Sequence, residues 1–193
     1  MTITLKKGQV ETIPFELLEN EKSLDVVLTG EDAEVEIIGL VLAKGNEQKT
    51  LEAYITHAAP NTKSNVNVRA VLRGKAKFDF RGNVKIEKGA KGADAYLRSD
   101  ALLFDDAKMG DDTPALEILE PDVKAGHAAT IGKVDENMLF YLMTRGLSRS
   151  QAEKLLIGGF IKPVLDILRA SPSMKLRVNS ARREVTALSS SRK

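Results

Sequence analysis

The sequence predicts a mainly β body followed by a small α-helical unit. Through residues 24–131 apolar side chains occupy every second position of short stretches, which is typical of half-buried strands. After Gly132 apolar residues recur at helical spacing instead. We therefore divide the chain into a β body over residues 1–131, a helical unit over 132–170 and a basic tail over 171–193.

The strands of the body are marked by apolar alternation, with turn residues such as Gly30, Gly45 and Gly74 between them. The alternating positions are Leu24, Val26, Leu28, Val35, Ile37, Val66, Val68, Ala70, Leu72, Ala76, Phe78, Phe80, Val84 and Ile86. Short strands separated by glycine turns fit a sandwich, a barrel or a stacked β-helix. The sequence shows no strict repeat at a fixed period, so the pattern leaves these three folds open.

Two helices are predicted in the helical unit. Asp135 can cap a short helix that runs through Arg145, and Gly146 is well placed to end it. A capping box at residues 148–151 begins a second helix with a long apolar stripe, in which we expect Pro163 to cause a kink or a break. Because two helices of this size cannot bury their apolar faces against each other alone, they must pack on the β body or on a partner.

Composition excludes several kinds of chemistry. The chain has no cysteine and only two histidines, His57 and His127. This excludes disulfides, a thiol nucleophile and a cluster held by cysteines of this chain alone. The apolar run at residues 37–43 is too short for a bilayer, which takes roughly 20 residues. No apolar segment follows the N-terminal lysines, so we expect a cytoplasmic protein without a membrane partner.

Two further features of the residues indicate what the chain does not do. The basic tail contains no aromatic side chain to stack on a base, which argues against nucleic-acid binding. No loop has the phosphate-binding spacing of a nucleotidase, so nucleotide hydrolysis would have to come from a partner.

Acidic pairs at residues 105–106 and 111–112 leave an enzymatic alternative open. Paired carboxylates could serve a β-helix polysaccharide lyase or hydrolase, but such sites normally hold sugar with aromatic or arginine side chains. The chain is only 5% aromatic and has no tryptophan, so solvated turn acids are the simpler interpretation. A purely structural homodimer is the third alternative.

Short segments between His57 and Phe160 match the sequence patterns of one known protein family. Residues 114–118 match the family pattern P-x-L-E-I, and residues 127–132 match H-x-A-T-[IV]-G. The other matching segments are residues 80–86, 93–96, 101–103, 122–124, 140–142, 145–146 and 152–157. Together they occur in the order and spacing of the C-terminal half of the SufB/SufD family of iron–sulfur cluster assembly proteins, which this part of the chain resembles.

The resemblance implies a right-handed parallel β-helix followed by a helical C-terminal domain. It also implies that the β-helix pairs through its C-terminal strands with a SufB-type subunit or a second copy, and that the helices dock a SufC-type ATPase. The candidate docking residues are Phe140, Arg145, Leu155 and Phe160. The chain is closer to the SufD type, and on this interpretation it is not an enzyme.

The resemblance also makes His127 the candidate ligand of a cluster. No cofactor is expected to bind this chain tightly by itself, and a transient iron–sulfur cluster would form at a dimer interface. SufD-type members usually read C-S-H-G-A-T here, whereas Ala125 replaces the cysteine. SufB-type members carry a glutamate after the histidine, where this chain has Ala128. His57, at the predicted end of a strand, is expected to be structural and to bond the following loop.

Overall fold

A computed structural model describes residues 2–170 as ten strands followed by two helices. The strands are β1 (Thr2–Leu5), β2 (Val10–Glu16), β3 (Glu21–Leu28), β4 (Glu34–Ala43), β5 (Gln48–His57), β6 (Lys63–Leu72), β7 (Lys77–Ile86), β8 (Asp94–Leu103), β9 (Lys108–Ile118) and β10 (Lys124–Lys133). The helices are α1 (Glu136–Thr144) and α2 (Arg149–Ala170). The predicted basic tail lies outside the described residues.

The strands form two parallel sheets that the chain visits alternately. One sheet has the order β1-β3-β5-β7-β9 and the other has the order β10-β8-β6-β4-β2. Each strand therefore pairs with the strand two places away in sequence, which makes the body a parallel β-helix. The β-helix implied by the resemblance is confirmed, and the sandwich and barrel alternatives are wrong.

Equivalent positions of successive rungs stack into columns. Ile37 pairs with Val66, and Val66 pairs with Leu97 one rung further on. The sequence shows no strict period because paired residues are unequally spaced, with Val66 29 residues after Ile37 and Leu97 31 residues after Val66. In addition, the members of a column share apolar character rather than residue identity. All of the alternating positions named above are buried, so the predicted core is confirmed.

The long helix α2 covers the outer face of the second sheet. Ile157, Ile161, Val164, Leu165 and Leu168 pack against Ile38, Leu40, Leu42, Val71 and Phe104. The alternative in which the helical unit packs on the β body is therefore confirmed for α2. The predicted break at Pro163 is wrong, because α2 runs through this residue without interruption. Its ring is exposed, and the apolar contacts on both sides of it hold the two halves of the helix on the sheet.

The helix ends follow the predicted local signals. The Asp135 side chain accepts a hydrogen bond of 2.8 Å from the Asn137 amide at the start of α1. Before α2, the Ser148 amide donates to Gln151 Oε1 at 2.8 Å and the Gln151 amide donates to Ser148 Oγ at 3.3 Å. Neither helix within residues 2–170 is long and apolar enough to cross a lipid bilayer.

Candidate functional site

The last rung of the β-helix leaves one end of both sheets open. β9 and β10 are each the terminal strand of their sheet at this end. Ile118 pairs with Ile86 and Ile131 pairs with Ala101, so both continue columns of the core, yet they are 45% and 50% exposed. An exposed strand edge with apolar side chains is a template for pairing with another chain. This open end is therefore a candidate interface.

His127 lies in the middle of the open end. It pairs with Leu97 and so continues the column of Ile13, Ile37 and Val66, all of which lie on the inner side of their strands. Within residues 2–170 no further rung covers it, and its side chain is exposed. An imidazole thus occupies the end of an aliphatic column, where a group presented by a second protein could reach it.

The neighbours of His127 are divided between the two faces of β10. Ala125 pairs with Ala95 and packs against the inner core, on the same side of the strand as His127. Ala128 is one residue further along and therefore faces the outer side. A cysteine at position 125 would share the inner side with His127, whereas a glutamate at position 128 would not. The two departures from the family pattern thus affect different faces.

Asp112 is a second polar group among the inward-facing positions of the last rung. It pairs with Phe80, a fully buried residue. Its Oδ1 atom is buried and has no hydrogen-bond partner among the described residues. Burial raises the pKa of this carboxyl, and the adjacent Asp111 raises it further. The sequence indicated only turn acids here, because the register that turns Asp112 inward is not a local property.

His57 lies deep in the core at the end of β5. Its Nδ1 and Nε2 atoms each lie 2.8 Å from a hydroxyl oxygen, those of Thr62 and Ser64 respectively. Because the Thr62 hydroxyl donates to the Ala59 carbonyl, it accepts from Nδ1–H, which leaves Nε2 to accept from Ser64. Burial lowers the pKa of His57 to about 4. A neutral, fully bonded imidazole at this depth cannot reach a ligand outside the core.

The helical unit exposes apolar side chains on α1 and on the outer side of α2. Met138, Leu139, Leu142 and Met143 recur at helical spacing in α1, but only Leu139 is fully buried, because the contacts of α1 are mainly with α2. The exposed apolar side chains are Met138, Phe140, Tyr141, Met143 and Leu155. Leu155 also lines a shallow apolar groove, together with Leu147, Gly158 and Gly159. We call these residues together the helical patch.

The four docking candidates differ in how accessible they are. Phe140 is 68% exposed and Leu155 is 56% exposed. The Arg145 guanidinium lies 5.1 Å from the centre of the Tyr141 ring and is bonded to its hydroxyl. Phe160 is half-buried: Arg69 stacks on its ring at 5.2 Å and donates to its backbone carbonyl. Phe160 thus holds α2 on the sheet, and the other three residues remain open to a partner.

Sequence reasoning missed a buried ion pair where α2 meets the body. The Arg73 side chain lies 2.5 Å from that of Glu153, and both residues are at most 3% exposed. Arg73 also stacks on the Phe104 ring at 4.5 Å. A weak signal exists in the sequence, since Glu153 lies next to Ala152 in the apolar stripe of α2.

The acidic pairs do not converge on a catalytic site. Asp105 is ion-paired with Arg73 at 3.4 Å, and Asp111 is ion-paired with Arg81 at 3.0 Å. Bonds from Thr113 and Arg81 lower the pKa of Asp111. Within residues 2–170 no three histidine or carboxylate side chains lie close enough together to hold a metal ion. These acids fit structural ion pairs better than lyase chemistry.

Comparison with known proteins identifies the family. The family model described as "SUF system FeS cluster assembly, SufBD core domain" matches residues 5–160. The chain belongs to the SufBD family. The match begins in β1 and ends within α2, so it covers the β-helix, the open end with His127, and the helical patch. The membership predicted from the short segments is confirmed.

Several curated proteins resemble this SufBD-family chain over most of its length. An iron–sulfur cluster assembly SufBD family protein of Mycobacterium tuberculosis is 38% identical over 151 residues, which cover 78% of this chain and 18% of that protein. SufD of Bacillus subtilis is 36% identical over 76% of this chain and 33% of its own length. SufB of the same organism is 34% identical, over 71% of this chain and 30% of its own length. The chain thus spans a third or less of these relatives.

Proposed function

We propose that this SufBD-family chain acts as a SufD-like subunit in iron–sulfur cluster assembly. The observation that carries the proposal is the position of His127, exposed at the end of an otherwise aliphatic column on an open strand edge. A neutral imidazole nitrogen is a suitable ligand for iron. His127 would supply one ligand to a nascent cluster, which is the cargo, and a partner would supply the cysteine and carboxylate that this chain lacks here.

The open end is the surface through which the chain would pair with a SufB-type subunit or a second copy. β9 and β10 offer free backbone groups, and Ile118 and Ile131 offer apolar surface beside them. Pairing there would cover His127 and exclude water from the cluster. The cluster would therefore be held only while the two chains are associated.

The helical patch would dock a SufC-type ATPase. It is apolar, exposed and separate from the contact between α2 and the second sheet. Closure of the ATPase dimer on ATP binding would move α1, which follows β10 after only two residues. Movement of α1 would therefore reach the strand that carries His127.

Replacement of His127 tests the cluster site. We expect His127→Ala to fold and associate like the unchanged chain, because an exposed side chain contributes little to stability, typically within about 0.5 kcal/mol. Anaerobic reconstitution with iron, sulfide and a SufB-type partner should give less cluster absorption. Thr130→Ala, on the outer side of the same strand, is the matched control. An equal cluster yield for His127→Ala and the control would remove His127 from the proposed site.

Replacement of exposed apolar residues tests the docking surface. Deletion of α2 is unsuitable because it would uncover the apolar outer face of the second sheet. Phe140→Asp and Leu155→Asp should abolish co-purification with a SufC-type ATPase while the fold, followed by circular dichroism, is kept. Val10→Asp is the matched control, since Val10 is as exposed as Phe140 but lies at the opposite end of the body. Retained binding by both patch variants would contradict the proposal.

A further inference from the structure

Arg73 joins three parts of the molecule at one buried point. It immediately follows β6, and its guanidinium lies 2.5 Å from Glu153 on α2 and 3.4 Å from Asp105 in the turn before β9. The Phe104 ring, 4.5 Å away, shields one face of the guanidinium from water. The charge of Arg73 is thus divided between two carboxylates that belong to different structural elements.

The Glu153 carboxylate likewise interacts with two guanidinium groups. Its Oε2 contacts Arg73, and its Oε1 accepts a hydrogen bond of 3.0 Å from Arg149. Arg149 in turn donates two hydrogen bonds, of 2.7 Å and 2.6 Å, to Glu136 at the start of α1. Five side chains of alternating charge therefore run from Asp105 to Glu136, and we call them the relay.

The two ends of the relay lie at functionally different places. Asp105 has a φ of 56° and accepts from the Gly74 amide at 3.2 Å, and the next amide, that of Asp106, donates to the Gly74 carbonyl at 2.9 Å. This turn leads directly into β9, an edge strand of the open end. Glu136 is the first residue of α1, and its side chain is 68% exposed.

We propose that the relay couples α1 to the turn between β8 and β9, so that a partner that binds α1 changes the local stability of this turn and of the open end that it leads into. The identity of that partner rests on the function proposed above. The coupling itself does not, because every residue of the relay belongs to this chain.

The alternation of charge sets the direction of the coupling. When Glu136 no longer pairs with Arg149, Arg149 interacts more strongly with Glu153, and Glu153 then interacts less strongly with Arg73. Arg73 consequently shifts towards Asp105 and holds the turn more tightly. When Arg149 no longer pairs with Glu153, Glu153 interacts more strongly with Arg73. Arg73 then interacts less strongly with Asp105, and the turn is held more loosely. Such shifts are transmitted effectively because the central pair is shielded from water.

Two variants at the α1 end of the relay separate this coupling from simple loosening. The measurement is the hydrogen-exchange rate of the Asp106 amide, followed by NMR in the full chain without a partner. We expect Glu136→Gln to slow this exchange about threefold and Arg149→Gln to speed it about threefold, a size usual for residues in one ion-pair network. A loss of packing would instead speed exchange in both variants.

The controls use other charges of the same chain. Lys162→Ala removes an ion pair with Asp166 on α2 that is not part of the relay, and it should leave the exchange of Asp106 unchanged. In an Asp105→Asn background the Glu136→Gln effect should disappear. Asparagine keeps the acceptor for the Gly74 amide and tolerates positive φ, so it removes only the charge. Faster exchange in both relay variants, or no change in either, would overturn the coupling and leave the docking proposal untouched.

Discussion

Acidification from pH 7 to pH 5 should destabilise the chain mainly through His57. The side chain is fully buried with both ring nitrogens bonded to hydroxyls, and burial lowers its pKa from 6.5 to about 4. Between these two values the unfolded chain binds a proton that the folded chain does not, so stability is complete above pH 6.5 and is lost as the pH falls. With these pKa values the free energy of unfolding decreases by about 2 kcal/mol at pH 5 and by about 3 kcal/mol at pH 4.

The assay is urea denaturation followed by circular dichroism at pH 7, 6 and 5. His57→Gln cannot take up this proton, so it should be less stable at pH 7 but should lose about 2 kcal/mol less than the unchanged chain on going to pH 5. His127→Gln replaces the other, exposed histidine but keeps His57, so the loss that depends on His57 should remain. Parallel loss in the unchanged chain and in His57→Gln would refute the reasoning, because it would show that His57 titrates alike in the folded and unfolded states.

Two further predictions concern the inner face of the β-helix. A Cβ at Gly82 would lie 2.5 Å from Leu97 Cδ1, so Gly82→Ala should lower the free energy of unfolding by about 1–3 kcal/mol in urea denaturation. Leu97→Val should recover part of that loss, whereas simple addition of the two costs would contradict the packing argument. Asp112→Asn should raise stability at pH 7, because burial and Asp111 raise the pKa of this carboxyl and disfavour its charged form, and the gain should shrink as the pH falls and Asp112 takes up a proton. Asp111→Asn, which removes an ion pair with Arg81, should lower stability instead; a gain in both variants would point to general charge repulsion.

The local parts of the fold could be predicted from the residues themselves. Alternation at positions such as Val66 and Val68 identifies strands because successive side chains of a strand point to opposite faces, so that every second residue faces the core. The cap at Asp135 and the box at residues 148–151 were equally readable, since their hydrogen bonds close within a few residues. The choice of the β-helix among three β folds came only from the family resemblance.

The helical unit shows where local reasoning fails. Pro163 was expected to kink or break α2, yet the helix continues through it, because packing of Ile161 and Val164 on the second sheet outweighs the lost hydrogen bond. The apolar run at residues 37–43 did indicate that a helix covers this strand. A strand that is covered on both faces has apolar side chains on both, and therefore lacks the usual polar alternation. Met138 and Met143 lie at helical apolar spacing but remain exposed, because the contacts of α1 are mainly with α2. The width of that contact could not be predicted from the sequence.

The sequence by itself was enough to predict the family, the β body with its following helices, and the two histidines as the residues to consider. Only the tertiary structure decided that His57 is enclosed while His127 stands uncovered at the open end, and that Asp112 points inward. These differences depend on which strands pair and in which register. Each pairing joins a residue to a partner one rung away, such as His127 to Leu97, and no local pattern encodes that distance. The same holds for Arg73 and Glu153, whose contact exists only after α2 has packed on the sheet.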